Sequence, residues 1–342
     1  MDNFLPRASA FLAILTLALI PAAAQPPAAV DDVQRIEIHA QAVEAFDPRE
    51  PERTRFGALT FRGGLVLESP HGNFGGISAL RVAADGERFL SLSDRGEWLR
   101  GRIVYRGQVP IAIEDAEMAP MLGPDGKPLK SGGWYDTEAL AMDGGVAYVG
   151  IERVNQVVRF DIAKEGLRAR GRPIPVPGGI KLLPPNQSIE CLEVAPQDSA
   201  NRGGPPAGTL ISISERGLDS HGDLMSFLIG RAGGVFSLKR TDEFDVSDCA
   251  TTPDGRLLVL ERRFSWARGV AMRIRSVPLV TIKPGALVDG VELIFADMGY
   301  QVDNMEGLSV HRDGSGALVL TIISDDNFSP LQRTLLLQFT LD

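Results

Sequence analysis

The chain has few of the residues from which transition-metal centres and disulfide scaffolds are built. Its 342 residues hold two cysteines and four histidines. Two cysteines are too few for a disulfide framework, and His39, His71, His221 and His311 never pair at ligand spacing, which argues against a zinc, copper or iron site. Lysine is scarce as well, at positions 127, 130, 164, 181, 239 and 283 only. No Gly-x-Ser-x-Gly elbow is present, so a serine esterase of the α/β-hydrolase type is unsupported. A formal net charge of −9 argues against nucleic acid or an anionic membrane surface as partner, because both need a basic face. It suits a protein that binds cations, or one that recruits an anion through locally placed arginine or metal.

Long apolar runs are missing too, except at the start. Arg7, the apolar stretch Ala8 to Ile20 broken by Ser9 and Thr16, and Ala22-Ala23-Ala24 before Gln25 read as a cleavable export signal over residues 1–24. That stretch falls short of the roughly 20 residues a spanning helix needs. The expected location is the periplasm or the exterior, with no membrane span in the mature chain. Residues 25–54 read as a lead-in and 55–342 as one domain. Outside the cytoplasm calcium is available and disulfides are permitted. Cys191 and Cys249 are expected as two buried free thiols, with a bridge between them as the alternative.

A repeat fills the rest. The starts FGGISAL, YDTEALAM, QSIECLEV, VSDCATT and DNMEGLSV place Gly76, Glu138, Glu190, Asp248 and Glu306 in one column, 52 to 62 residues apart. A second column closes the following apolar run: Asp94-Arg95, Glu152-Arg153, Glu215-Arg216, Glu261-Arg262 and Asp325-Asp326. Between the columns lie short runs rich in Val, Ile, Leu and Phe, separated by turns such as Asp85-Gly86, Asp254-Gly255 and Asp313-Gly314, whose glycines are expected at positive φ. Four antiparallel strands per repeat make the fold all-β, a β-propeller with the first strand of each blade at the central channel. The count is five blades. The last unit lacks a strand, which Phe56 to Ser69 would supply to close the ring; six blades result if Ala40 to Ser69 carries a divergent one.

A propeller gathers the first column around one axis. Carboxylates at that range raise one another's pKa and call for a cation, and an all-oxygen ligand set in such number suits calcium. Glu138, Glu190 and Glu306 are the candidate catalytic acids. Asp136, Asp248, Asp303, Asp325 and Asp326 are the candidate metal ligands. Arg95, Arg153, Arg216 and Arg262 are candidates for binding a small anionic ester beside the metal, although acid-arginine pairs also serve simply to bind neighbouring blades together. A lactone-opening propeller would instead use a set such as Glu306, Asn155 and Asp248, and a third reading is a binding module in which calcium is only structural. His221 reads as a solvated loop residue, and Trp98, Trp134 and Trp266 as packing residues with a cleft-lining role as the alternative.

The stretches FGGISAL, SDRG, DTEALA, GIERVNQ, QSIECLEVAP, SERGLD, DCATTPDGRLLVLERRFS and, above all, NMEGLS with TIISDDNF together resemble the bacterial phytase-like family known as "esterase-like activity of phytase", over about residues 55 to 340. The resemblance implies an exported β-propeller rich in shared acids, with phosphoesterase or phosphodiesterase activity. The calcium-dependent β-propeller phytases are more distant: none of the six lysines falls within the two columns, so their lysine-rich phosphate site has no match.

Overall fold

The computed structural model describes Met1, residues 33–231 and residues 233–342; the expected export signal lies outside the described residues. Five antiparallel sheets surround one axis, each a blade whose strands run outward in chain order. Blade 1 holds Ile77–Val82, Arg88–Ser93, Glu97–Arg106 and Val109–Pro120, and blade 2 holds Thr137–Asp143, Val146–Ile151, Gln156–Asp161 and Arg172–Pro173. Blade 3 holds Ile189–Val194, Leu210–Leu218, Leu224–Ile229 and Gly234–Leu238, with Leu287–Val288 added in parallel. Blade 4 holds Asp245–Thr251, Arg256–Ser265, Gly269–Pro278 and Val291–Asp297. Blade 5 joins Asn304–Arg312, Leu318–Asp325 and Thr334–Leu341 to Leu59–Glu68 from the other end of the sequence. That pairing closes the ring at five, and Ala40 to Ser69 carries outer strands of blade 5 rather than a sixth blade. Among the described residues, no helix is long and apolar enough to cross a membrane.

Alternation along each strand explains the core. Successive side chains point to opposite faces, so each sheet sends one apolar set toward each neighbour. The result is one apolar layer per blade boundary, for example Trp98 with Leu140 and Phe160 between blades 1 and 2, and Ile211 with Leu257 and Val277 between blades 3 and 4. Residues 33–54 do more than lead in. Gln34–Arg35 pairs with the outer strand of blade 1, His39–Val43 pairs with Leu59–Glu68, and Phe46 is buried among Phe56, Phe61, Phe339 and Tyr300.

Two of the Asp-Gly turns behave as expected, with Gly86 at φ 75° and Gly255 at φ 93°. At the third the positive φ falls on Gly316, not Gly314, because the Asp313 carboxylate accepts from the backbone N–H groups of Ser315 and Ala317 and draws out a longer turn. The thiols also differ from expectation: Cys191 and Cys249 form a disulfide. Their strands are the innermost of adjacent blades, which brings the Cα atoms to 5.1 Å, within reach of a bridge. Cross-linking residues 58 apart contributes about 4 kcal/mol in the chain-entropy account.

The axis itself is plugged by Arg81 of blade 1. Its guanidinium pairs with Asp248 of blade 4 at 2.7 and 3.0 Å and donates to the carbonyls of Leu80, Leu192, Cys249 and Leu308, so one side chain ties blades 1, 3, 4 and 5. Asp248 also accepts from the N–H groups of Cys249 and Leu308. Removing one partner of such a pair leaves a buried charge alone. Arg81→Met is expected to cost roughly 3–5 kcal/mol in urea unfolding, and adding Asp248→Asn should recover part of that loss.

Candidate active site

The innermost strands share one irregularity. In every blade the ladder between first and second strand skips a single residue: Ser78, Glu138, Glu190, Ser247 and Glu306. A bulge of this kind takes a residue out of the pairing and re-aims its side chain. The structural column is therefore Ser78, Glu138, Glu190, Ser247, Glu306, and it corrects the alignment by chemical likeness at two places. Asp248 stands one residue farther along, opposite Leu260 and held by Arg81, so both carboxylate oxygens are committed to the axial plug rather than to a cation. Gly76 is a hinge residue at φ 61°, where a Cβ would meet the Asp94 carboxylate at 2.4 Å.

Across from these bulges lies a second ring. Asp94, Glu152 and Glu215 donate their backbone N–H groups to Gly76, Asp136 and Ser188, while Arg262 faces Asp245 and Asp325 faces Asn304. The ring is thus four acids and one arginine. In blade 4 the pair is slipped by one: Glu261 faces Val246 and is buried between Arg273 and Arg275, which turns Arg262 inward. In blades 1 to 3 the acid turns inward and the arginine outward. Arg95 lies 3.2 Å over the Phe328 ring, Arg153 lies 5.4 Å over Tyr135, and Arg216 pairs with Asp245. Of the four arginines expected around a ligand, only Arg262 lines the mouth; Arg333, not singled out from sequence, lines its rim.

The two rings enclose a cavity of about 800 Å³ at one end of the channel. Glu138, Glu190 and Glu306 line it, as do Asp136, Asp303 and Asp325. Asp94, Glu152 and Glu215 line it too; the acid-arginine periodicity contained them, but which member of each pair faces inward depends on register. Asp303 is occupied by the backbone N–H groups of Asn304 and Arg333. Asp326 lies outside: its carboxylate accepts from Gly76, Phe328 and Thr334 and so pins the loop after blade 5's second strand to blade 1. The trio Glu306, Asn155 and Asp248 is not assembled, since Asn155 donates to the Leu183 carbonyl and Asp248 belongs to the plug. Trp98 is buried core and Trp266 is exposed.

Charge at this mouth is poorly compensated. Arg262 donates to Glu215 at 3.1 Å and to the Asn304 side-chain oxygen at 3.2 Å, and its Nε lies 3.0 Å from Glu306. Asn304 in turn donates to Glu306 at 2.8 Å. One Glu306 oxygen, Oε2, is buried with no hydrogen-bond partner, and so is Asp94 Oδ1. Burial pushes Glu306 up to about 8 despite Arg262, and pushes Glu152 to about 8 despite the Ser188 N–H that it accepts. Burial first, then repulsion from Glu152 and other neighbouring acids, raises Glu138 and Glu190 well above the usual carboxylate range. Asp325 reaches about 7 and Asp94 about 6, again chiefly by burial. For Arg262, burial alone would lower the pKa, but Glu306, Glu190, Glu215 and Glu138 overturn this and hold it above its ordinary value.

As a cation site the donor chemistry fits: orphaned carboxylate oxygens, no histidine and no thiolate, the set a hard ion such as calcium prefers. Among the described residues no three of these groups already converge on one ion, so binding would draw carboxylate side chains together.

Residues 72–328, well over half of the chain, match the Phytase-like family model, described as esterase-like activity of phytase. The chain belongs to this family. No curated protein matches it. Among solved structures, this Phytase-like chain is similar to glutaminyl cyclase of Myxococcus xanthus, at 12% identity over 82% of this chain and 97% of that one, with a TM-score of 0.38. It is also similar to the alpha-L-arabinofuranosidase PaAbf62A of Podospora anserina, solved with cellotriose, at 11% identity over 84% and 97%, with a TM-score of 0.46. At these values neither likeness carries an argument about substrate.

The raised carboxylates of the Phytase-like mouth fix the sign of its pH response. Between the ordinary glutamate value of 4.5 and about 8 the folded state keeps protons that the unfolded state has lost, so stability falls as pH rises through that window. With a chelator present, thermal melting is expected to drop from pH 5 to pH 8. Glu306→Gln, neutral throughout, should flatten part of that slope; an unchanged slope would remove Glu306 from the account.

Proposed function

We propose that the protein is an exported, calcium-dependent hydrolase of phosphate esters that works at the acid-lined mouth. The observation that carries this is the gathering of buried carboxylates from blades 1, 2, 3 and 5 around one cavity with a single inward guanidinium from blade 4. The family's described esterase-like activity supports the reaction class. The Cys191–Cys249 bridge and the export signal read at residues 1–24 support action outside the cytoplasm.

Asp94, Asp136, Glu138 and Asp325 would hold the ion, being neighbours that repel one another; among the described residues none of them has an ion-pair partner. Calcium there would neutralise the mouth and supply positive charge to a phosphoryl oxygen. Arg262, oriented by Asn304, Glu215 and Glu306, holds a second phosphoryl oxygen. Glu306, pushed by burial up to about 8, would donate the proton to the departing alcohol oxygen, with Glu190, raised in the same direction by burial and neighbouring acids, beside it. Water adds to phosphorus as the P–O bond to the alcohol breaks, so ester plus water gives alcohol plus phosphate.

Hydrolysis of p-nitrophenyl phosphate, bis-p-nitrophenyl phosphate and phytate, measured with calcium and with chelator, tests the reading. Activity should require calcium and fall about 100-fold or more in Glu306→Gln while thermal melting shows an intact fold. Calcium should also reverse the loss of stability toward pH 8. Stabilisation by calcium with no turnover of any ester would make the protein a binding module instead.

A further inference from the structure

The mouth has one wall unlike the rest. The second strand of blade 4, Arg256–Ser265, has ten residues, against nine in blade 3, eight in blade 5 and six in blades 1 and 2, and it alone carries an aromatic residue into the cavity rim. Its end therefore rises past Arg262 by three residues, about 10 Å at the usual rise per strand residue. Phe264 on this extension lines the cavity and is 59% exposed, and Trp266 at its tip, 96% exposed, packs edge-on to Phe264 at 5.5 Å. Met298, 69% exposed, lies against the returning strand at Gly269, where a Cβ would stand 2.0 Å from the Met298 sulfur. Leu331, 91% exposed, lines the cavity from the loop that Asp326 anchors.

Exposed apolar side chains are ordinary when scattered singly and informative in a group at a cavity rim. Phe264, Met298 and Leu331 line the same cavity as the acids and Arg262, and Trp266 packs beside Phe264. The cationic side of the mouth is small by comparison: Arg262 and Arg333 line it, and no lysine does. A multiply phosphorylated polyol would need many cations and would leave the apolar wall wet. We infer that the mouth takes a phosphoester whose alcohol portion is apolar, with the phosphoryl group beside Arg262 and the apolar group against Phe264, Trp266, Met298 and Leu331. This rests on the phosphoester reading above and names the substrate class within it.

Non-hydrolysable phosphonates separate the two. With calcium present, phenylphosphonate is expected to bind roughly tenfold or more tightly than methylphosphonate by calorimetry, the gain expected from covering one ring. In the double variant Phe264→Ser/Trp266→Ser the ratio should fall to about one with melting unchanged, and KM for p-nitrophenyl esters should rise more than kcat falls. If both phosphonates bind equally to the unaltered protein, the phosphoester reading stands and the apolar subsite is wrong. If neither binds, the phosphoester reading falls and the inference falls with it. Binding of unliganded protein to phosphatidylcholine vesicles that disappears in the double variant would make the wall a lipid-docking surface and would likewise overturn the inference.

Discussion

At the same place in every innermost strand one residue drops out of the antiparallel ladder, and the geometry of that bulge decides which side chain of each blade faces the mouth. Ser78, Glu138, Glu190, Ser247 and Glu306 are equivalent for this reason and for no compositional one. A sheet without the bulge would keep the two-residue alternation, and the same glutamates would enter the apolar layers between blades. The position of the second ring follows, since Asp94, Glu152, Glu215, Arg262 and Asp325 are set by the pairing that resumes beside each bulge.

Two polar layers share the axis and are treated in opposite ways. Arg81 pairs with Asp248 and donates from both terminal nitrogens to carbonyls from four blades, which ties the ring together. A few residues above, Glu306 and Asp94 each keep a buried oxygen without a partner, and burial holds several neighbouring acids above their ordinary range. Carboxylate oxygens left without partners around an open cavity are what make the mouth the candidate site.

The blades also differ from one another in ways that break the symmetry of the mouth. Blade 4 contributes serine where blades 2, 3 and 5 contribute glutamate, arginine where the others contribute acid, and an apolar extension where blades 1 and 2 stop short. A single blade thus supplies both the guanidinium inside the cavity and the aromatic pair Phe264 and Trp266 of the apolar wall, which gives an otherwise ring-like site a direction.

The sequence by itself determined the repeat, the four-stranded blade and the family, because periodic apolar runs and turn residues are local signals that survive without register, while the choice between five blades closed by the N-terminal strand and six fell to the structure. It also singled out Glu138, Glu190, Glu306, Asp136, Asp303 and Asp325, which the structure brings to one cavity, since acids at strand ends recur at a fixed spacing. Only the tertiary structure decided that Asp248 belongs to Arg81, that Arg95, Arg153 and Arg216 face away while Asp94, Glu152 and Glu215 face in, and that Cys191 meets Cys249. The physical reason is the period of two along a strand: a slip of one residue, invisible in an alignment of similar side chains, sends a group to the opposite face, and what it then meets comes from another blade, 29 residues away for Arg216 and Asp245, 58 for the two cysteines and 167 for Arg81 and Asp248.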